Sequence, residues 1–199
     1  MSPVRLRSFR NSWYRPGRSI FWQLGWFFLG LPLLRSSLIP SSAFRVRILR
    51  LFGATIGDGV VIKPGVRVKY PWRLAVGDAC WLGEDCWIDN LADVCIGNNV
   101  CVSQGTYFCT GNHDWTDSSF GLIVKPITLQ DGSWAGAKAI LAPGVTLGEC
   151  AIASAGSVVT KNIPPYEIHG GNPAVFLKQR HVESQRLNFE FSIEEQVAS

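Results

Sequence analysis

The feature that most constrains the fold is a six-residue spacing of branched or apolar residues between positions 56 and 159. A helix repeats every 3.6 residues or so and a strand about every 2, so neither produces this spacing directly. A short repeat of fixed length is instead typical of a parallel β-helix, for which six residues is a known period. The spaced residues, called markers below, are Ile56, Ile62, Val68, Val76, Leu82, Ile88, Ile96, Val102, Phe108, Leu129, Ala135, Leu141, Leu147, Ala153 and Val159.

A small or slender residue stands two places before most markers. These residues are Val60, Val66, Cys80, Cys86, Val100, Thr106, Ser133, Ala139, Val145, Ala151 and Ser157. A narrow column with three flat sides explains both patterns, because each side then contributes one large inward side chain and one smaller one near a corner. Glycine often follows the marker and supplies backbone freedom near the turn. We therefore expect coils stacked about 4.8 Å apart, the ordinary distance between paired strands.

The breaks in the period indicate where the chain leaves the column. The first three coils repeat every 20 residues, from positions 56, 76 and 96, and their extra residues fall at one corner. After Phe108 the next marker is Leu129, so residues 109–125 form an excursion that contains the run CTGNHDWTDSSF. Long loops on a rigid scaffold often carry function. The excursion is therefore the first place to look for a site.

The same register places Asp89 and Asn90 one coil below Cys109 and Thr110. His113 stands four residues into the excursion, and we expect it to reach the corner that Asp89 and Asn90 form. Two interpretations of His113 are open at this point. It is either a loop histidine that makes ordinary hydrogen bonds or a general base, a role for which imidazole is the usual choice near neutral pH.

The first 53 residues form a basic, apolar arm. Residues 1–57 contain nine arginines and no lysine, aspartate or glutamate, whereas the rest of the chain carries ten basic and fifteen acidic residues. Residues 20–34 read IFWQLGWFFLGLPLL, which is shorter than the roughly 20 apolar residues of a membrane span and is followed by no signal-peptide cleavage site. Arginines among aromatic residues suit a segment in the interface of an anionic membrane. Alternatively the arm caps the apolar end of the column, and the two roles are compatible.

The end of the arm predicts a helix. Ser41 and Ser42 precede the run AFRVRILRLFG, and Gly53 is a plausible helix stop. Apolar residues recur at helical spacing at Phe44, Ile48, Leu51 and Phe52. We expect these residues to form the buried face, with the arginines Arg45, Arg47 and Arg50 mostly elsewhere.

Cysteine and histidine usage argues against several classes of protein. The six cysteines include no CxxC pair, which disfavours zinc ribbons and thioredoxin-like redox sites. We interpret them as free, buried thiols in a reducing compartment, which favours the cytoplasm. The three histidines, His113, His169 and His181, do not supply a converging zinc triad, so we expect no metal. The basic residues lie in an apolar arm rather than along a polar face, so we expect no nucleic-acid partner.

The column is predicted to end at Pro164 and Pro165, because a proline pair cannot continue a hydrogen-bonded coil. The sequence GGNP beyond them predicts a turn and a short closing segment. We expect the last nineteen residues to form a partly helical tail.

Several segments resemble one known family, the hexapeptide-repeat acyltransferases, which fold as left-handed β-helices. The resemblance spans about residues 45–180 and rests on the hexads, on TGNHDW, on the run ITLQDGSWAGAKAILAPGVTLGECAIASAGSVVTKNIPP and on the terminal GNPA. Within the family, the chain is most similar to exopolysaccharide O-acetyltransferases of the colanic-acid type, through YPWRLAVGDACWLGEDCWIDNLADVCIG and SQGTYFCTGNHDWTD. Maltose, galactoside and nodulation-factor O-acetyltransferases are relatives of these enzymes.

With the resemblance, the chain divides into three parts. Residues 1–53 are the basic apolar helical arm, residues 54–163 a left-handed β-helix with its excursion at 109–125, and residues 164–199 a C-terminal turn and tail. The predicted fold class is all-β.

The resemblance implies transfer of an acetyl group from acetyl-CoA to a sugar hydroxyl, in exopolysaccharide or surface-glycan biosynthesis. It also implies a homotrimer with active sites between neighbouring columns. His113 occupies the place of the family's general base, and the family's substrate-side asparagine falls at Asn90, or at Asp89 after a shift of one residue. Asp114, beside His113, is a further candidate for contact with the acceptor.

The positions that match the family's CoA site form one set. They are Trp134, Gly136, Ala137, Ala155, Thr160, Lys161 and Lys178. Small residues there would let the pantetheine arm lie along the column wall, and the two lysines suit the nucleotide phosphates. One departure stands nearby, since Ala153 and Ser154 replace the isoleucine and glycine that are usual in the family.

The arm also departs from the separate N-terminal domain of some family members. It favours an acceptor held at the membrane, such as a lipid-linked glycan, with the enzyme peripheral to the inner face. Two other functions stay open from the sequence: N-acetylation of an aminosugar, for which the same base would serve, and a non-catalytic trimeric β-helix scaffold at the membrane.

Overall fold

The computed structural model of the chain describes residues 3–182, and its centre is a column of short parallel strands. The strands of the described chain are numbered β1–β19 in chain order. The first side of the column consists of β1 (Thr55–Ile56), β4 (Leu74–Val76), β7 (Val94–Ile96), β12 (Ile127–Leu129) and β15 (Thr146–Leu147). The second side consists of β2 (Val61–Ile62), β5 (Trp81–Leu82), β8 (Cys101–Val102), β13 (Trp134–Ala135) and β16 (Ile152–Ala153). The third side consists of β3 (Arg67–Val68), β6 (Trp87–Asp89), β9 (Tyr107–Cys109), β14 (Ile140–Leu141) and β17 (Val158–Val159).

The register of the strands confirms the repeat. Ile56 pairs with Val76, and Val76 pairs with Ile96. Ile96 pairs with Leu129, across the excursion, and Leu129 pairs with Leu147. All strand pairs within the three sides of the column are parallel, as a coil that always turns the same way requires. The protein is a left-handed parallel β-helix, as the sequence predicted.

The markers make the core of the column. All fifteen are buried, and so are all eleven of the smaller residues that stand two places before a marker. Between them they fill a prism too narrow for two large side chains per side. The alternation of one large and one small inward residue is therefore the packing solution that sets the six-residue period.

The cysteines are free thiols throughout, but their burial differs from the expectation. Cys80 and Cys86 take small inward positions and are buried, which raises the pKa of the Cys86 thiol to about 12. Cys95 is exposed, and Cys101, Cys109 and Cys150 are half-buried. The prediction of six buried thiols was wrong, because Cys95, Cys101 and Cys109 stand directly before a marker or after one, where side chains point outward from the column.

The arm covers the open first coil of the column. It contains a 3₁₀ turn (Leu6–Ser8), helix α1 (Ile20–Gly25), a π-helical segment (Trp26–Gly30), helix α2 (Leu31–Arg35) and helix α3 (Ser42–Leu51), and a further 3₁₀ turn (Pro71–Arg73) lies in the column. Trp26, Leu34 and Leu49 are buried in the same core as the markers. The indole nitrogen of Trp26 donates to the carbonyl oxygen of Val68 at 3.0 Å. The arm thus closes the apolar end that the first coil would expose.

Helix α3 begins and ends as the sequence predicted, but its buried face is different. Ser41 caps its first turn, and Gly53 follows it with a φ of +97°. Leu51, one of the apolar residues at helical spacing, is 69% exposed, whereas Arg45 is 1% exposed.

Arg45 is buried because it satisfies carbonyl groups at the end of α2. Its guanidinium donates to the carbonyl oxygens of Leu34 at 3.1 Å and Ser36 at 2.8 Å, and also to that of Ile39. The last carbonyls of a helix have no partner within the helix, and guanidinium offers five donors in a fixed fork. An amphipathic pattern alone places arginine outside, so this contact was not predictable from spacing.

The closing segment folds as a hairpin that extends the second side. Strand β18 (Glu167–Gly171) pairs with β16, and β19 (Ala174–Gln179) pairs antiparallel with β18. Asn172 and Pro173 form the turn, within the predicted GGNP. The rest of the predicted helical tail, residues 183–199, lies outside the described residues. In residues 3–182 no helix combines the length and hydropathy needed to cross a bilayer.

Candidate active site

The excursion is built on a short antiparallel hairpin. Strand β10 (Gly111–His113) pairs with β11 (Leu122–Val124), with His113 opposite Leu122. The hydrogen bond from the amide of Lys125 to the carbonyl oxygen of Thr110, at 2.9 Å, closes the base of the hairpin at the column. The sequence predicted an excursion here but not its strands. Because His113 ends a paired strand, its backbone has a defined position relative to the column.

The ring of His113 is held by two aromatic side chains and at one nitrogen. It stacks on Phe120 at 4.4 Å with an interplanar angle of 7°, and the ring of Phe9 meets it edge-on at 5.5 Å. Nδ1 lies 2.9 Å from the carbonyl oxygen of Phe120. A carbonyl can only accept, so Nδ1 carries the proton, and in the neutral ring Nε2 has a free lone pair. Within residues 3–182 no group occupies Nε2. This is the arrangement that a general base needs.

The carboxylates of the excursion stabilise its turn. Asp114 accepts from the amide and the hydroxyl of Thr116, at 2.9 and 2.6 Å. Asp117 does the same with Ser119. These hydrogen bonds, chiefly those from the side chains of Thr116 and Ser119, lower the pKa of both carboxyl groups. The structure therefore gives Asp114 a role in shaping the loop that holds His113.

Asp89 and Asn90 lie where the register predicted, but they differ in what they offer a ligand. Asp89 pairs with Cys109, one coil above. Asn90 is buried, and both ends of its side-chain amide bond to the backbone of Tyr70: Nδ2 donates to the carbonyl oxygen at 2.7 Å and Oδ1 accepts from the amide at 2.9 Å. The hydrogen bonds of His113 join it to neither residue; they stay within the excursion.

A polar cluster surrounds Asp89 that the sequence analysis missed. Lys69 Nζ lies 2.9 Å from Asp89 Oδ1, and the hydroxyl of Tyr107 donates to Oδ2 at 3.3 Å. Burial, with Cys109 and Asp89 nearby, raises the pKa of Tyr107. Trp87 stacks on Tyr107 at 4.6 Å. The 20-residue repeat could have found the cluster, since Lys69, Asp89 and Cys109 occupy the same place in successive coils.

The start of the arm runs along the edge that carries the excursion. The amide of Arg5 donates to the carbonyl oxygen of Ser118 at 2.8 Å, and Phe9 contacts His113 as described. The hydroxyl of Tyr14 donates to the carbonyl oxygen of Leu91 at 2.8 Å. The sequence contained no signal for these contacts, which join the first residues of the arm to residues of the column and its excursion that are at least 77 positions away.

Three of the predicted CoA positions lie together at the corner between the second and third sides. The amide of Gly136 donates to the carbonyl oxygen of Ala153, and the amide of Gly156 to that of Ala137, both at 2.8 Å. A Cβ on Gly136 would lie 2.6 Å from the backbone nitrogen of Ala155. Only glycine allows the two coils to approach this closely, and the result is a smooth wall of small residues.

The other predicted CoA positions are spread over three places. Trp134 is part-exposed on the second side, where its indole nitrogen donates to Ser103 Oγ at 2.8 Å. Thr160 and Lys161 follow β17 and are exposed at the corner between the third and first sides. Lys178, on β19, is exposed beside Ile168.

Within one chain, His113 and the wall at Gly136 therefore lie at different edges. The hairpin of His113 leaves the corner between the third and first sides, as its place between β9 and β12 shows. Gly136 lies between β13 and β14, at the next corner. In the described part of the chain, no three His, Cys, Asp or Glu side chains are grouped as a metal site would require.

Comparisons with known proteins agree with this architecture, although no family model matches the chain. The chain is 38% identical over 169 residues to the "Putative colanic acid biosynthesis acetyltransferase WcaF" of Escherichia coli (strain K12), a match that covers 84% of this chain and 91% of that protein. It is 27% identical over 157 residues to the galactoside O-acetyltransferase of the same organism, covering 77% of each.

Solved structures agree as well. The crystal structure of a hexapeptide-repeat-containing acetyltransferase from Vibrio cholerae superposes with a TM-score of 0.74 at 25% identity, covering 81% of this chain and 92% of that one. The maltose O-acetyltransferase of Clostridium difficile 630 gives 0.69 at 27% identity, covering 82% and 88%. The Vibrio protein has also been crystallised with acetyl coenzyme A.

The β-helix of hexapeptide coils, together with the similarity to these acetyltransferases, places the protein in the acyltransferase class. The chain belongs to the hexapeptide-repeat acetyltransferases. It is accordingly an acetyltransferase, and the expectations of a β-helical fold and of acyl transfer are confirmed.

Proposed function

We propose that the protein transfers an acetyl group from acetyl-CoA to a sugar hydroxyl, in the synthesis of an exopolysaccharide or a surface glycan. The observation that carries the proposal is the free Nε2 of His113, with Nδ1 committed to the carbonyl oxygen of Phe120 at 2.9 Å. The names of the relatives support the substrate class, since colanic acid, galactosides and maltose are all saccharides.

In the proposed reaction His113 acts twice. Nε2 takes the proton of the acceptor hydroxyl while its oxygen attacks the thioester carbonyl. The tetrahedral oxyanion then collapses, the carbon–sulfur bond breaks, and the imidazolium returns the proton to the CoA thiolate. Backbone amides are the donors we propose for the oxyanion. Neither step requires a metal.

The two edges described above fit a site completed by a second copy. Gly136, Ala137 and Ala155 would form the wall for the pantetheine arm, while Lys161 and Lys178 would meet the phosphates. Since His113 projects from the other edge, a homotrimer of parallel columns would bring one copy's base to the next copy's wall. On the acceptor side we propose Asp89 rather than Asn90, because the Asp89 side chain is part-exposed whereas Asn90 is buried and hydrogen-bonded to the backbone of Tyr70.

The test is mass spectrometry of an acceptor panel incubated with acetyl-CoA. The panel contains neutral sugars, oligosaccharides and aminosugars. We expect an acetyl group attached as an ester to a hydroxyl oxygen, and mild base should remove this acetyl group. Acetylation of aminosugar nitrogen alone, resistant to mild base, would contradict O-acetylation. Failure to bind acetyl-CoA in calorimetry would instead favour a silent scaffold.

The outer surface of the arm supports a second part of the proposal, contact with an anionic membrane. Phe21, Phe28 and Leu38 are 82%, 65% and 92% exposed on the arm. Arg18 and Arg35 are exposed beside them. Exposed aromatic and aliphatic side chains among arginines are typical of segments that bind the interface of an anionic bilayer. We propose that the arm holds the enzyme at such a surface.

Vesicle co-sedimentation tests this contact. We expect the protein to sediment with vesicles that contain phosphatidylglycerol, less so at high salt, and little with phosphatidylcholine alone. Replacing Phe21 and Phe28 together by serine should abolish sedimentation. The control replaces Val175 and Leu177 by serine, two exposed apolar residues of β19 at the other end of the column. Equal binding by all three proteins would refute the proposal.

A further inference from the structure

A groove of about 410 Å³ lies between the arm and the third side of the column. Ile20, Leu24 and Phe27 form its wall on the arm, and Tyr70, Trp72 and Trp87 contribute aromatic rings from the column. Most of its lining is apolar. The polar members are Gln23, Arg67, Lys69 and Asp89, and the guanidinium of Arg67 lies over the Trp87 ring, 4.7 Å from its centroid. Neither the proposed chemistry of His113 nor the proposed CoA wall uses the groove.

The polar end of the groove lies next to the proposed acceptor site. Lys69 and Asp89 line it there, in the ion pair described above. Asp89 Oδ1 is buried and, apart from Lys69, has no polar partner in the described part of the chain. Asp89 pairs with Cys109, and the hairpin of His113 starts two residues further on. A sugar at this end would therefore lie within about one or two coils, roughly 5–10 Å, of the base of the hairpin.

The other end opens at the outer surface of the arm. Phe27 and Ile20 line the groove and are still 60% and 59% exposed. Phe21, which follows Ile20 in α1, points away from the groove and belongs to the surface proposed above to contact lipid. The groove thus leads from the apolar outer surface to a charged pair beside the proposed acceptor site.

We propose that this groove binds an apolar chain attached to the acceptor sugar, so that the acceptor is an amphipathic, lipid-linked saccharide. This inference rests on the proposed function and names its substrate class. A free saccharide would leave the wall of Ile20, Leu24 and Phe27 without a partner. An alkyl or polyprenyl chain matches the apolar wall, and the sugar that it carries matches the polar end.

The first test compares two probes with one head group, maltose and decyl maltoside below its micelle concentration. Calorimetry should show that the wild-type protein binds decyl maltoside at least tenfold more tightly, roughly what burial of two methylene groups provides. Leu24→Trp, which fills the groove, should remove that preference. Leu29→Trp makes the same change of side chain at a position of the arm that is 64% exposed and outside the groove, and it should preserve the preference. Thermal unfolding checks both variants, and Ile20→Trp replaces Leu24→Trp if the latter misfolds.

Several results would overturn the inference. The first is that the wild-type protein binds maltose and decyl maltoside equally well. The second is that Leu24→Trp keeps the wild-type preference for decyl maltoside. The third is that both variants lose this preference equally, which would indicate adsorption of the alkyl chain to the arm surface. A lower oligomeric mass of Leu24→Trp with unchanged probe binding would show instead that the groove receives a second copy. The binding experiment needs no acetyl transfer, so its failure can be told apart from failure of the proposed function. Failure of the proposed function would appear as no acetylation of any acceptor.

Discussion

Replacing His113 by alanine is expected to lower kcat for acetyl transfer by about 10²–10⁴-fold, the usual contribution of a positioned general base. The variant loses the Nε2 lone pair and with it the proton acceptor for the attacking hydroxyl. Acetyl-CoA binding should change little, because the proposed contacts with CoA are made by the wall of small residues and the two lysines rather than by the imidazole. Stopped assays with a responsive acceptor, calorimetry with acetyl-CoA and a thermal melt measure the three quantities.

The matched control is His181→Ala, which removes an exposed histidine near the end of the described chain. It should retain wild-type kcat. The melting temperature of His113→Ala should stay close to that of wild type, since the side chain packs on Phe120 and Phe9 at the edge of the column rather than in its core. If His113→Ala is folded and keeps its activity, His113 is not the base.

Replacing Leu141 by aspartate should destabilise the column by about 4 kcal/mol or more, enough to prevent folding in a protein of ordinary stability. Leu141 is fully buried in β14, between Phe108 on β9 and Val159 on β17. A carboxylate there would have no partner among the inward side chains, and burying an unpaired charge is among the most destabilising changes known. Soluble yield and chemical denaturation measure the effect.

Ile140→Asp is the control, one residue earlier in the same strand but on the outer face, where Ile140 is 38% exposed. It places the same charge on the same backbone, and we expect a stability change within about 1 kcal/mol, the range of β-propensity. A normal yield of folded Leu141→Asp would contradict the inward assignment of the markers. Similar losses in both variants would show that the strand, rather than the core, is sensitive.

The site was predictable only as far as the repeat extends. Counting along the hexads located the excursion and placed Asp89 below Cys109, because strand register in a stacked coil follows from residue number alone. It could not separate Asp89 from Asn90, adjacent residues of which one points to a groove and the other is enclosed by Tyr70. The contact of Phe9 with His113 was also beyond reach, since it depends on the path of an arm that has no repeat.

The amino-acid sequence by itself determines the three-sided column, the register of its strands and one histidine that lies outside the repeat. Those properties are local, because a narrow prism admits one large and one small inward side chain per hexad. The residue type at each place of the hexad therefore decides where the chain forms a side of the column and where it turns. The tautomer of His113, the burial of Arg45 and the groove beside Asp89 are consequences of tertiary structure. The first two depend on backbone carbonyl oxygens only 6 to 11 residues away, whose positions are set by non-repeating segments. The groove depends on arm side chains that pack against the column, and none of these contacts leaves a periodic trace in the sequence.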